Sequence, residues 1–189
     1  ARIRDSEDHV MGELKVTAAT GFGTLWLVPR LNKLYAMYPD LKVNLILEER
    51  VLDLPMREAD VAIRMKEPSQ SDLIRRRLLN IRMRLYATRS YLTDAGRPMS
   101  LPDLSRHRVI CQDPAMPQVS AGKLLVQQLL EQNPRSLLMV NNYFGVLQAV
   151  LTNVGIGVLP DYLTADFPEL VRVFDDVESG EVPVFLAFP

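Results

Sequence analysis

Cysteine is nearly absent: Cys111 is the only one in 189 residues. A lone thiol closes no internal disulfide, so the fold must rest on its own core, and this usage points to a reducing compartment, the cytoplasm. Histidine is almost as scarce. His9 and His107 lie far from each other in sequence, and His9 also from Cys111, which matches no zinc-ligand spacing, and no metal or cofactor is expected. Neither charge sign dominates: 22 Lys and Arg face 23 Asp and Glu, for a net charge of -1. No global positive field therefore draws the chain to nucleic acid. Long apolar runs are missing too, which argues against a membrane span. The charged stretch from Ala1 to Gly12 carries no leader pattern. Gly-x-Ser-x-Gly, Walker A and HExxH motifs do not occur, and Gly21 and Gly23 lack the third glycine of a dinucleotide fingerprint, so catalysis is not expected.

What is present suits a folded globular chain, with 48% hydrophobic and 24% charged residues, enough for one domain or two small lobes. The polar opening from Arg2 to Val10 suggests the tail of a helix or a linker ended by Gly12. Leu14 to Ala18 predicts a strand, and Thr20-Gly21-Phe22-Gly23 a turn opening a helix whose apolar residues Leu27, Leu31, Leu34, Tyr35 and Tyr38 recur at helical spacing up to Pro39. Lys42 to Leu47 alternates as a strand, Asp53 to Ala59 reads as a short helix, and Asp60 to Arg64 as a buried strand. This βαβαβ rhythm predicts an α/β fold with largely parallel sheets.

A second set follows, with strands at Arg82 to Thr88 and Arg108 to Gln112 around a short helix at Tyr91 to Ala95. Lys123 to Gln132 satisfies either helix or strand, and the neighbouring pattern favours strand. Ser136 to Val140 predicts a strand feeding a helix from Asn142 to about Thr152 with Gly155 as its terminal glycine. Short strands then fall at Gly157 to Leu159, closed by Pro160, and at Val182 to Phe188.

Gly12-Glu13-Leu14-Lys15-Val16, Leu27-Val28-Pro29 and Tyr38-Pro39, followed by Asp53-Leu54 and Asp60-Val61-Ala62-Ile63-Arg64, resemble the effector-binding domain of LysR-type transcriptional regulators. Tyr91-Leu92, Leu101-x-Asp103-Leu104 with His107, Val140-Asn141, Gly155-Ile156-Gly157 and Leu159-Pro160 continue the match in order. Glu58-Ala59 departs from it where glycine is usual. The resemblance implies a two-lobed, periplasmic-binding-protein-like fold with a ligand cleft between lobes. Residues 12–79 and 174–189 would form lobe I, residues 80–173 lobe II, and residues 1–11 the end of a linker. It also implies a small-molecule effector, a homodimer or homotetramer, and DNA contact only through a helix-turn-helix outside these residues. An exposed apolar face on the first helix, at Trp26, Leu34 or Met37, would serve the dimer. A solute-binding protein of a transport system shares the architecture and is the alternative.

Open parallel sheets hold ligands at the carboxyl ends of strands, beside helix N-termini. That rule selects Ala19, Thr20, Phe22 and Gly23 after the first strand, where a hydroxyl and bare amides suit a carboxylate. It also selects Asn141, Asn142, Tyr143 and Phe144 in the second half, amides beside an aromatic wall. Glu49, Arg50, Arg64 and Gln112 also fall at strand ends, and an arginine there suits an anionic effector. Each of these residues equally suits a structural task, as a cap or a core side chain. Arg75-Arg76-Arg77 lacks interleaved aromatics and reads as a solvated face or strand-edge guard. Cys111, between Ile110 and Gln112, reads as a small core residue.

Overall fold

A computed structural model of the chain describes residues 4–6, 9–49, 59–67, 71–116 and 122–189. Two compact units emerge, one of Ala1–Leu79 with Pro183–Pro189 and the other of Asn80–Val182. No helix among the described residues is long and apolar enough to cross a membrane.

In the first unit, β1 (Arg4–Ser6) pairs antiparallel with the opening of β2 (His9–Ala18). The expected helix tail or linker is thus strand where it is described. Gly12 does not end that segment. It continues β2 with φ at 136°, a backbone that side chains rarely adopt. β2 runs parallel to β3 (Leu41–Leu47) from Gly12↔Leu41 to Ala18↔Leu47, and parallel to β4 (Val61–Arg64) from Val16↔Val61 to Ala18↔Ile63. Flanked on both edges there, Val16, Thr17 and Ala18 are all buried, as an inner parallel strand requires. β11 (Val182–Phe188) lies antiparallel against β4, and β5 (Ile74–Ile81) closes the sheet beyond it. The predicted helix at Asp53 to Ala59 falls outside the described residues except for Ala59, which is buried.

The chain leaves β2 through α1 (Thr20–Phe22), a π-helical stretch Gly23–Leu27, a 3-10 turn Val28–Arg30, and α2 (Leu31–Met37). Pro29 explains the irregularity: it has no N–H for the regular ladder, so the preceding turn loosens. Trp26 does not present the free face expected of it. Its ring stacks on Phe22 at 4.9 Å, and the Arg30 guanidinium lies 4.4 Å above it. Leu34 is half-buried, while Met37 is 65% exposed beside exposed Val28, Tyr35 and Tyr38.

The second unit carries a five-stranded sheet in the order β10-β6-β9-β7-β8. β7 (Arg108–Cys111) runs parallel to β8 (Ser136–Met139) and β9 (Ile156–Pro160). β6 (Met83–Thr88) is antiparallel to both β9 and β10 (Leu170–Arg172). Both sheets are therefore mixed, and the expectation of largely parallel sheets is corrected. The antiparallel strands β11 and β6 are set beside the parallel strands inside each sheet, β11 between β4 and β5 and β6 between β10 and β9.

Between the strands lie α3 (Arg89–Ala95), the 3-10 segment Leu101–Arg106, α4 (Lys123–Leu130) and α5 (Tyr143–Leu151). The strand preference at Lys123 to Gln132 is overturned. Leu125, Val126 and Leu129 are buried while Leu124 is exposed, a helical spacing that inner packing enforces. Gly155 is not the terminal glycine of α5 either. Asn153 takes the left-handed conformation at φ 63°, and Gly155 instead meets the backbone of Arg108.

His107 is buried, with Nδ1 3.0 Å from the Tyr91 hydroxyl. Burial, then neighbouring Arg106, lowers its pKa below the ordinary histidine value. The folded state thus prefers neutral imidazole. Below about pH 6.5 the unfolded chain takes up the proton first. The stability contributed by this group is full above that pH and is lost as pH falls through the lowered folded value. Urea unfolding from neutral pH downward should show a loss of stability that His107→Gln removes; identical pH profiles for the two chains would refute it.

Candidate ligand-binding site

Because β2, β3 and β4 are parallel, Ala18, Leu47 and Arg64 end at one edge of the first sheet. The loops leaving that edge knit together. The Glu48 amide donates to the Ala18 carbonyl at 3.1 Å, and the Thr20 amide to the Glu49 carboxylate at 2.9 Å. Arg64 donates from Nη2 to the Thr17 hydroxyl and from Nη1 to the Ile63 carbonyl, both at 2.9 Å. Burial pulls the Arg64 pKa below its ordinary value, while Glu49 and then Glu48 pull it back up. A guanidinium stays charged under such opposing influences.

Of the residues selected from sequence, Thr20, Glu49 and Arg64 therefore come together. One expectation is corrected: the Thr20 amide is not bare, because Glu49 already supplies a carboxylate to it. Phe22, 1% exposed, and buried Gly23 lie in the support beneath. A Cβ on Gly23 would come within 2.1 Å of Leu47 Cδ2, so this glycine lets the helical segment approach β3. Arg50 lies outside the described residues. Thr17 was missed, since a buried threonine inside a strand gives no signal until its arginine partner, 47 residues on, is seen.

The second unit has a comparable edge where β7 and β8 end. The Val140 amide donates to the Cys111 carbonyl at 3.0 Å, and Gln112 Nε2 to the Asn141 carbonyl at 3.1 Å. Asn142 caps α5: its Oδ1 accepts from the Gly145 amide at 2.9 Å, and its Nδ2 donates to Asn141 Oδ1 at 2.9 Å. Gln112, Asn141 and Asn142 thus form one cluster. Of the expected aromatic wall, Tyr143 is buried instead, its hydroxyl 2.7 Å from that of Tyr162, and Phe144 is half-buried. Cys111 is fully buried, and burial pushes its thiol up to about 11; it is a protonated core residue rather than a reactive thiolate. Among the described residues, no cluster of His, Cys, Asp and Glu could hold a metal ion.

Two mixed α/β sheets with loop clusters at the carboxyl ends of their parallel strands define a ligand-binding domain of periplasmic-binding-protein type. The family model of the LysR substrate binding domain matches residues 7–189, and the chain belongs to that family. It is 23% identical over 190 residues to an uncharacterized HTH-type transcriptional regulator of Haemophilus influenzae, covering 99% of this chain and 66% of that protein. A second such regulator, from Xanthomonas campestris, is 32% identical over 99 residues, covering 52% of this chain and 29% of its own length. The chain thus spans less than two thirds of the length of these relatives. In fold it is similar to the regulatory domain of CrgA, a LysR-type transcriptional regulator from Neisseria meningitidis, with a TM-score of 0.77 at 24% identity over 94% of this chain and 89% of that one. This is a family of regulator domains, not of enzymes.

Proposed function

We propose that the chain senses a small anionic metabolite for a LysR-type transcriptional regulator, and that the anion binds at the strand-end loops. The observation that carries this reading is the Glu49 carboxylate on the Thr20 amide, within the field of buried Arg64. The protein's own carboxylate sits where a ligand's carboxylate would, so an effector would exchange with it. Such exchange biases the regulator only through its different affinity for two states. Thr20, Glu49 and Arg64 would form the site in the first unit, with Phe22 and Gly23 supporting it. Gln112, Asn141, Asn142 and Phe144 offer a second polar edge, backed by Tyr143.

The names of the relatives favour a regulator over a solute-binding protein of transport. DNA contact would belong to a helix-turn-helix of the full-length protein, and the site of action would be the cytoplasm. The exposed apolar side chains Val28, Tyr35, Met37 and Tyr38 support assembly into a homodimer or homotetramer.

The test is a thermal-shift panel of small mono- and dicarboxylates, followed by calorimetry with the best binder. Thr20→Ala should weaken it by about 0.5 to 1.5 kcal/mol. Glu49→Gln, which removes the competing charge, should tighten it roughly tenfold. Asn142→Ala should weaken it too, and its lost helix cap should cost about 1 kcal/mol of stability without ligand. Weaker binding by Glu49→Gln would show that the effector is not an anion at this position.

A further inference from the structure

A separate cavity of about 410 Å³ lies in the second unit, lined by Arg84, Tyr86, Asp161, Thr164, Leu170 and Arg172. Its floor follows from strand geometry. Arg84 and Tyr86 stand two residues apart on β6, and β10 pairs Arg172 with Tyr86, so the three side chains leave one face. Asp161 and Thr164 come from the 3-10 segment Asp161–Ala165 that follows β9.

Four polar side chains there have hydrogen-bonding capacity to spare. Tyr86 is 2% exposed as a whole residue, and it lines the cavity with its hydroxyl making no hydrogen bond to a described residue. Arg84 gives Nη1 to Glu178 at 2.8 Å, but its buried Nε has no hydrogen-bond partner among the described residues. Asp161 accepts the Arg82 amide on Oδ1 at 3.2 Å, while its Oδ2 is 3.9 Å from Arg84 Nε, beyond hydrogen-bond reach. Arg172 reaches Glu178 at 3.5 Å, the Phe174 carbonyl at 3.0 Å and the Asp175 carbonyl, all through Nη2 and Nε, which leaves Nη1 open.

The charges decide what fits. Two guanidinium groups and one carboxylate, Asp161, line the cavity, and Glu178 pairs with both arginines and with Arg82, so a ligand there meets positive and negative groups together. The complement must offer acceptors to Tyr86 and the arginines and a cationic donor to Asp161 at once. We propose that this cavity binds a zwitterionic α-amino acid, its carboxylate on the Tyr86 hydroxyl and the open guanidinium edges, its ammonium on Asp161 Oδ2, and its side chain along Leu170. The site shares no residue with the strand-end clusters and stands whether or not an anion binds there.

The test is a titration of the whole chain with the proteinogenic L-amino acids, one at a time to about 10 mM, followed through the Arg84 Nε–H resonance and the amides of Tyr86, Thr164 and Arg172. At least one should give saturable shifts at these four groups. Its N-acetyl and methyl-ester forms, each lacking one charge, should bind the parent chain about tenfold more weakly or worse. Tyr86→Phe, which removes only the hydroxyl, and Asp161→Asn, which keeps an acceptor for the Arg82 amide, should each weaken binding about fivefold. The proposal is overturned if no amino acid moves these resonances, if the N-acetyl form binds as well as the parent compound, or if Tyr86→Phe binds unchanged.

Discussion

Arg64→Ala should destabilise the chain by about 3 kcal/mol, which for a chain of this size lowers the melting temperature by roughly 6 to 12 °C. The loss has two sources. Thr17, fully buried, would be left with a hydroxyl whose guanidinium donor is gone, and such orphaned groups cost about 1 to 3 kcal/mol. Glu49 and Glu48 would lose the cation that faces them, leaving like charges at one sheet edge. Thr17→Val removes the other partner and fills its space, so Arg64→Ala should cost about 1 kcal/mol less in a Thr17→Val background than alone. Calorimetric unfolding of the four chains measures this. Additive losses would mean that the hydrogen bond contributes nothing to stability, and an Arg64→Ala chain as stable as the parent would remove the basis for treating this edge as built around its arginine.

Gly155→Ala should cost about 2 to 3 kcal/mol. An added Cβ would lie 2.3 Å from the Arg108 carbonyl oxygen and 3.0 Å from its carbon. Backbone cannot step aside as a side chain does, and Arg108 opens β7, the strand held between β8 and β9. At Gly157 the Cβ would meet Val150 Cγ2 at 2.4 Å and Val146 Cγ1 at 3.1 Å, side chains of α5 that relieve part of the clash by turning. At Gly180 nothing lies within 4 Å, and alanine there should stay within about 0.5 kcal/mol of the parent. Urea unfolding of the three variants should rank them in that order. A Gly155→Ala chain indistinguishable from Gly180→Ala would refute the close approach.

Strand positions were legible wherever one side of a strand differs from the other or the whole strand is apolar, as at Val182 to Phe188 and Lys42 to Leu47. Strand direction was not. Period-two alternation is the same for either sense, so the antiparallel placing of β6 and β11 could not be seen. β5 as a whole was not read as a strand because it exposes Ile74 to Leu78, but of the two readings of Arg75-Arg76-Arg77, solvated face or strand-edge guard, the second agrees with their place on β5 at the end of the strand order. At Lys123 to Leu130 the helical spacing of Leu125, Val126 and Leu129 was present but outweighed by the strands on either side. The site was legible as positions, because a strand end followed by a helix start is a local pattern. Its occupancy was not: the contact of Glu49 with Thr20 joins residues 29 apart, and no local rule states which carboxylate reaches which amide. Tyr86 was hidden for the same reason, since only the pairing of β6 with β10 sets Arg172 across from it.

The strand order β1-β2-β4-β11-β5 places β11, which follows the whole second unit in sequence, in the interior of the first unit's sheet. During synthesis, β4 therefore waits with one edge unpaired until Val182–Phe188 has left the ribosome, while the second unit, a continuous stretch from Asn80 to Val182, already has all of its strands. The unit encoded first is the one completed last. Deleting β11 would thus damage the sheet that carries Thr20, Glu49 and Arg64, and the exposed edge of β4 would be open to pairing with other chains.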